Sequence, residues 1–126
     1  MTSQIILVGI GGFIGSVFRF LLSGFVQRLV PLTEFPFGTL AVNVAGCLFI
    51  GLLNGLAETR QIIGPEFRLF LMIGMLGGFT TFSAFGYETL ALLRDAEVLR
   101  AMGNVFLQVF FGLVAVWLGY MLGRVG

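Results

Sequence analysis

Hydropathy divides the chain into four apolar blocks, at approximately 5–26, 37–57, 69–93 and 101–122, joined by short connections that carry most of the charge. An α-helix of about 20 residues at 1.5 Å rise crosses a hydrocarbon core of about 30 Å, so each block is long enough to span. The pattern predicts an all-α membrane protein with four transmembrane helices in a single domain over 1–126. The connections have turn chemistry: Pro31 and Pro36 bracket the first, Gly64 and Pro65 lie in the second, and Arg94, Asp95, Glu97 and Arg100 mark the third. No cationic segment precedes the first block, whose apolar run exceeds that of a signal peptide, so it is expected to be retained as the first helix.

Composition sharpens this picture. Of 126 residues, 58% are hydrophobic and 10% charged, with fifteen Phe, nineteen Gly and a mean hydropathy of +1.06. A globular chain is about 25% charged, and a chain this short has too much surface to hide so much apolar material from water. The expected solvent is lipid. With no His and one Cys there is no zinc, haem, iron-sulfur or Cys-His catalytic site to find, and no enzyme is expected. Seven Arg against six acids, with no Lys, give no basic surface for nucleic acid.

Arg placement carries a second message. Four spans put both termini on one side, with Arg60, Arg68 and Arg124, and leave Arg28, Arg94 and Arg100 on the other, while Arg19 sits inside the first block. Three against three gives no orientation signal. Two copies inserted in opposite senses would form a closed twofold pair, so an antiparallel, dual-topology homodimer is expected. Each block also holds a glycine pair at i and i+4, namely Gly11 and Gly15, Gly51 and Gly55, Gly74 and Gly78, and Gly119 and Gly123, a pattern of close helix contact.

Polar residues within the blocks are few, and each is either satisfied structurally or placed for function. Thr39, Asn43 and Asn54 fall near one face of the second helix. Asn43, about 9 Å in from Phe37 by helical rise, reads either as an interhelical hydrogen bond or as a group facing a water-filled vestibule. The third block carries Gly77-Gly78-Phe79-Thr80-Thr81-Phe82-Ser83, where adjacent glycines and three hydroxyls predict a break in mid-membrane; a kinked but continuous helix is the alternative. Unwound carbonyls there, pooled from two subunits, suit a small cation such as Na⁺.

Beyond the break, Phe82, Phe85, Glu88 and Thr89 share a face. The rings read as packing filler, or as positive ring edges turned to an anion and complemented by the Asn43 amide. Glu88 is a proton carrier, an ion-coupling group or a snorkelling acid, and Arg19 a salt-bridge anchor or an anion attractor. Asn104 and Gln108, one turn apart on the fourth helix, extend a polar track or bond between helices.

Gly38-Thr39-Leu40-Ala41-Val42-Asn43-Val44-Ala45-Gly46 and Gly77-Gly78-Phe79-Thr80-Thr81-Phe82-Ser83-Ala84-Phe85, with Gly11-Gly12-Phe13-Ile14-Gly15 and Arg19, resemble the signatures of the CrcB/Fluc fluoride channels over essentially the whole chain. The resemblance implies a dual-topology dimer in the bacterial inner (plasma) membrane, with two antiparallel fluoride pores and a structural Na⁺ between subunits. By motif position it makes Asn43 the pore amide, Phe82 and Phe85 the ion-facing aromatics, Gly77 and Thr80 the carbonyl ligands of Na⁺, and Thr39, Ser83 and Glu88 secondary pore groups. Hydroxyl residues common along the family's fourth helix are replaced here by Asn104, Gln108, Gly112 and Val116. The implied function is passive fluoride export that relieves fluoride toxicity. The rival is a small proton-coupled exporter of cationic drugs, which needs a central carboxylate for which Glu88 is the only candidate.

Overall fold

The computed structural model describes residues 1–60 and 63–125, so the last residue of the 1–126 domain lies outside the described residues. Among the described residues there is no strand, and four helical stretches of 28, 24, 30 and 28 residues are long and apolar enough to cross a membrane. The first two are α1 (Thr2–Leu29) and α2 (Phe37–Arg60). The third is composite, with α3 (Pro65–Arg68), a π-helical stretch (Leu69–Met75), α4 (Leu76–Phe79) and α5 (Phe82–Arg94). The fourth is α6 (Val98–Val125).

The helices run past the apolar blocks because backbone bonding continues into the interface, where Arg28, Arg60, Arg94 and Arg124 occupy last turns and complement the carbonyl ends. Gln27 ties the first connection down, its Oε1 accepting from Gly38 N–H at the start of α2 (3.0 Å) and its Nε2 donating to the Phe35 carbonyl (3.1 Å). The α5–α6 turn closes by a paired capping motif. Glu97 N–H donates to the Leu92 carbonyl (2.8 Å) and Ala96 N–H to that of Leu93 (3.1 Å), with Ala96 left-handed at φ 60°. This joins α5 and α6 through three residues and keeps them side by side.

Packing pairs the spans alternately. α1 lies against the π-helical stretch and α4, while α2 lies along α6. Lipid tails give no hydrophobic drive for helix association, so close backbone approach through small residues must supply it. All four glycine pairs lie in these crossings. A Cβ on Gly15 would stand 2.0 Å from the Met75 carbonyl oxygen, and one on Gly78 2.6 Å from that of Gly12. On the other seam, a Cβ on Gly119 would stand 2.2 Å from the Leu48 carbonyl oxygen and one on Gly51 the same distance from that of Val116. Large apolar side chains, among them Phe13, Phe20 and Trp117, turn outward, as suits a lipid-facing surface.

The glycine seam makes a direct prediction. Gly119→Ala should lower the thermal stability of the purified protein in detergent by about 1–3 kcal/mol, because backbone rather than a flexible side chain must move. Gly9→Ala, where nothing lies within 4 Å, should leave it unchanged or slightly raised.

Candidate functional site

Between Phe79 and Phe82 the helical path is interrupted: Thr80 (φ −83°, ψ 157°) and Thr81 (φ −149°, ψ 111°) are extended. Two extended residues remove helical partners from carbonyls before them and from N–H groups after them, and lipid can replace neither. Local side chains respond first. Thr80 Oγ1 donates to the Leu76 carbonyl (3.0 Å), and Thr81 Oγ1 accepts from Ala84 N–H (3.2 Å), capping α5 at its start.

Distant side chains complete the repair. Arg19 Nε donates to the Gly78 carbonyl (3.0 Å). Asn43 takes both peptide groups of Thr81, accepting from its N–H at Oδ1 (2.8 Å) and donating from Nδ2 to its carbonyl (3.1 Å). Nδ2 also donates to Gln108 Oε1 (3.1 Å). α2, α5 and α6 are thus joined by one amide network centred on Asn43. The carbonyls of Gly77 and Thr80 receive no backbone N–H among the described residues.

The predicted site residues fall into two groups either side of Thr81. A cavity of about 330 Å³ brings together Asn43, Gly77, Thr80, Thr81 and Phe82, with Cys47 one turn beyond Asn43. Phe85 tilts against Phe82 with ring centroids 5.6 Å apart, and Phe82 is 82% exposed on the subunit surface. Ser83 is exposed, its Oγ 3.4 Å from Thr81 Oγ1. The second cavity, about 350 Å³, is lined by Arg19, Thr39, Thr81 and Glu88. A third, about 460 Å³, continues past Glu88 to Glu34 and Asp95.

Charge in these cavities is unpaired. Among the described residues the one ion pair is Arg100 with Glu97 (3.7 Å), so the salt-bridge reading of Arg19 gives way to a backbone contact. Its Nε spans from α1 to the interrupted helix, where an unpaired carbonyl is the stronger demand. Glu88 Oε1 is buried without a hydrogen-bond partner among the described residues, beside the buried Thr39. Asn54 bonds within its own helix, donating to the Ile50 carbonyl (2.8 Å).

Sequence reasoning missed three contributions: Arg19 at Gly78, the double contact of Asn43 with Thr81, and the bond from Asn43 to Gln108. The one-turn spacing of Asn104 and Gln108 was the available signal, but spacing names a face and not its partner. Asn104, fully buried, donates to Thr89 Oγ1 (3.0 Å), which donates on to the Phe85 carbonyl (2.8 Å).

The sequence profile of the family described as "CrcB-like protein, Camphor Resistance (CrcB)" matches residues 6–120. The chain is 50% identical to a fluoride-specific ion channel FluC of Methylobacillus flagellatus, over 94% of this chain and 93% of that protein. It is 49% identical to a FluC of Opitutus terrae over 94% and 91% of the two chains, and 47% identical to one of Methylocella silvestris over 89% and 86%.

The Arg19 contact carries its own prediction. Arg19→Met, which keeps the apolar stem and removes the donor, should cost about 1–3 kcal/mol of thermal stability by leaving the Gly78 carbonyl unpaired. A melting temperature equal to that of the unaltered protein would remove Arg19 from the repair of the interruption.

Proposed function

The chain belongs to the CrcB family, and from that premise we propose that it is a fluoride-selective channel of the bacterial plasma membrane, through which the anion leaves the cytoplasm passively. It is a multi-pass membrane protein and not an enzyme. The observation that carries the reading is the amide network of Asn43, beside Phe82 and an extended backbone, in a bundle otherwise almost wholly apolar.

Fluoride is small and strongly hydrated, so a selective path must replace its water with several donors, none binding so strongly that the ion stays. Amide hydrogens and positive ring edges meet that need, and a full cationic charge on the path would retain the ion. Asn43, Phe82 and Phe85 take this role in our reading, with Thr39, Ser83 and Glu88 along the approaches. Arg19, turned to the Gly78 carbonyl, raises the local potential without standing in the path. Neutral HF enters from acidic surroundings and dissociates inside, and the negative interior drives the anion out through an open path. No energy coupling is needed, which disfavours the proton-coupled drug exporter; Glu88 is then a wall residue.

The interrupted third span is, in this reading, the mid-membrane break, and two subunits in opposite orientation meet at it. The balanced Arg count supports dual insertion, and the 82% exposed Phe82 supports a partner covering that face. Na⁺ fits the same place. The unpaired carbonyls of Gly77 and Thr80 are hard oxygen donors, and no cluster of three or more His, Cys, Asp or Glu offers another metal site among the described residues. Those carbonyls, from both subunits, would hold the ion, whose charge would tie the pair together.

In liposomes carrying the purified protein, fluoride and chloride electrodes should record fluoride loss without chloride loss. Asn43→Asp should abolish it by setting an acceptor and a negative charge against the anion, and Phe82→Ile should slow it. Near-normal flux in Asn43→Asp would take Asn43 off the path. Two Arg added between positions 30 and 36 should bias insertion to one orientation and reduce flux, and unaltered reporter labelling would count against dual topology.

A further inference from the structure

The donors of Asn43 are already taken. Its Oδ1 accepts from Thr81 N–H, and Nδ2 donates both to the Thr81 carbonyl and to Gln108 Oε1. An anion arriving at Asn43 therefore finds a carbonyl oxygen in the position it must occupy. The Thr81 contact is double and holds the interruption together, so the bond to Gln108 is the one that yields.

Gln108 is held unevenly. The residue is only 9% exposed; Oε1 is bonded to Asn43, while Nε2 has no partner among the described residues. An unpaired buried amide donor is costly, so the present orientation is only partly satisfied. Half a turn of the terminal amide would exchange the two ends. Nε2 would then face Asn43 Nδ2, donor against donor, which is unfavourable when the gap is empty. With an anion in the gap both groups donate to it, and Oε1 takes the place where Nε2 now has nothing to bond. In the orientation observed only Oε1 is bonded, so an exchange of ends gives up the one bond to Asn43, which the anion replaces.

We propose that Gln108 is an anion-operated carboxamide switch: without the ion its carbonyl oxygen occupies the Asn43 donor, and on arrival of fluoride its amide turns to coordinate the ion together with Asn43. The switch rests on the fluoride-channel reading and adds a specificity device to it. Water, which donates as well as accepts, is received by either orientation and does not drive the turn, whereas an ion that only accepts does. Fluoride has the charge density to displace the oxygen, and chloride, larger and a weaker acceptor, does not. Asn104, the turn before Gln108 on α6, is bonded to Thr89 and leaves this gap to Gln108.

The test is a fluoride titration of the unaltered protein, ¹⁵N-labelled at Asn and Gln side chains and held in detergent, with chloride in parallel. The side-chain amide signals of Gln108 and Asn43 should move together, with one midpoint, in fluoride and stay still in chloride. Movement of Asn43 alone, or of neither in protein that conducts fluoride from liposomes, would overturn the switch while leaving the channel standing. Loss of fluoride conduction in the unaltered protein would instead overturn the channel reading. As a second arm, Gln108→Met keeps the length and removes both ends of the amide, and should lower fluoride flux by at least about tenfold, the low end for one hydrogen bond to a charged group. Flux within twofold of the unaltered protein would also sink the proposal, and if that variant does not fold, the titration decides alone.

Discussion

Lipid offers the backbone nothing to bond with, and that constraint explains most of what is particular about this chain. Two residues in the third span, Thr80 and Thr81, leave helical geometry, and each peptide group that loses its partner is a demand on the surrounding side chains. Asn43 from α2 and Arg19 from α1 answer for the backbone of Thr81 and Gly78, and the two threonines answer for their own neighbours. Asn43, Arg19 and the two threonines are therefore gathered at the interruption. In the channel proposed above, a group that repairs the backbone is also a group the ion would meet.

The same constraint explains why Asn43 is an amide. Thr81 exposes one donor and one acceptor, and a carboxamide presents the complementary pair in one plane. A carboxylate would lack the donor for the Thr81 carbonyl, and a hydroxyl would not span both groups. One hydrogen remains on Nδ2 after the repair, and its direction, toward α6, sets where further chemistry can occur. The structural role of this residue fixes the geometry of the pore role proposed for it.

Much of the architecture is legible in the residues. The four apolar blocks give the helices, and the two extended residues, Thr80 and Thr81, lie in the cluster from which a break is proposed. The glycine pairs were a weak signal that became a strong feature, because only a three-dimensional crossing tells Gly119 against Leu48 from a glycine facing lipid. Partner choice was the illegible part. Nothing in the spacing of Asn104 and Gln108 says that one reaches Thr89 and the other Asn43, and nothing near Arg19 names Gly78, fifty-nine positions away, as its acceptor. The π-helical turns of Leu69–Met75, which pack against α1 beside α4, left no sequence mark that we can identify.

The alternate pairing of spans, α1 with the third and α2 with α6, bears on how the protein is made. As the chain emerges from the ribosome, the first helix waits for the third, and the second waits for the last. Gly51 and Gly55 stay uncovered in the bilayer until Gly119 and Gly123 have been translated. No product that stops before α6 holds a finished α2 seam, so the nascent chain completes its bundle only once α6 has been made. A stalled or prematurely stopped chain presents the membrane's proteases with an open glycine face.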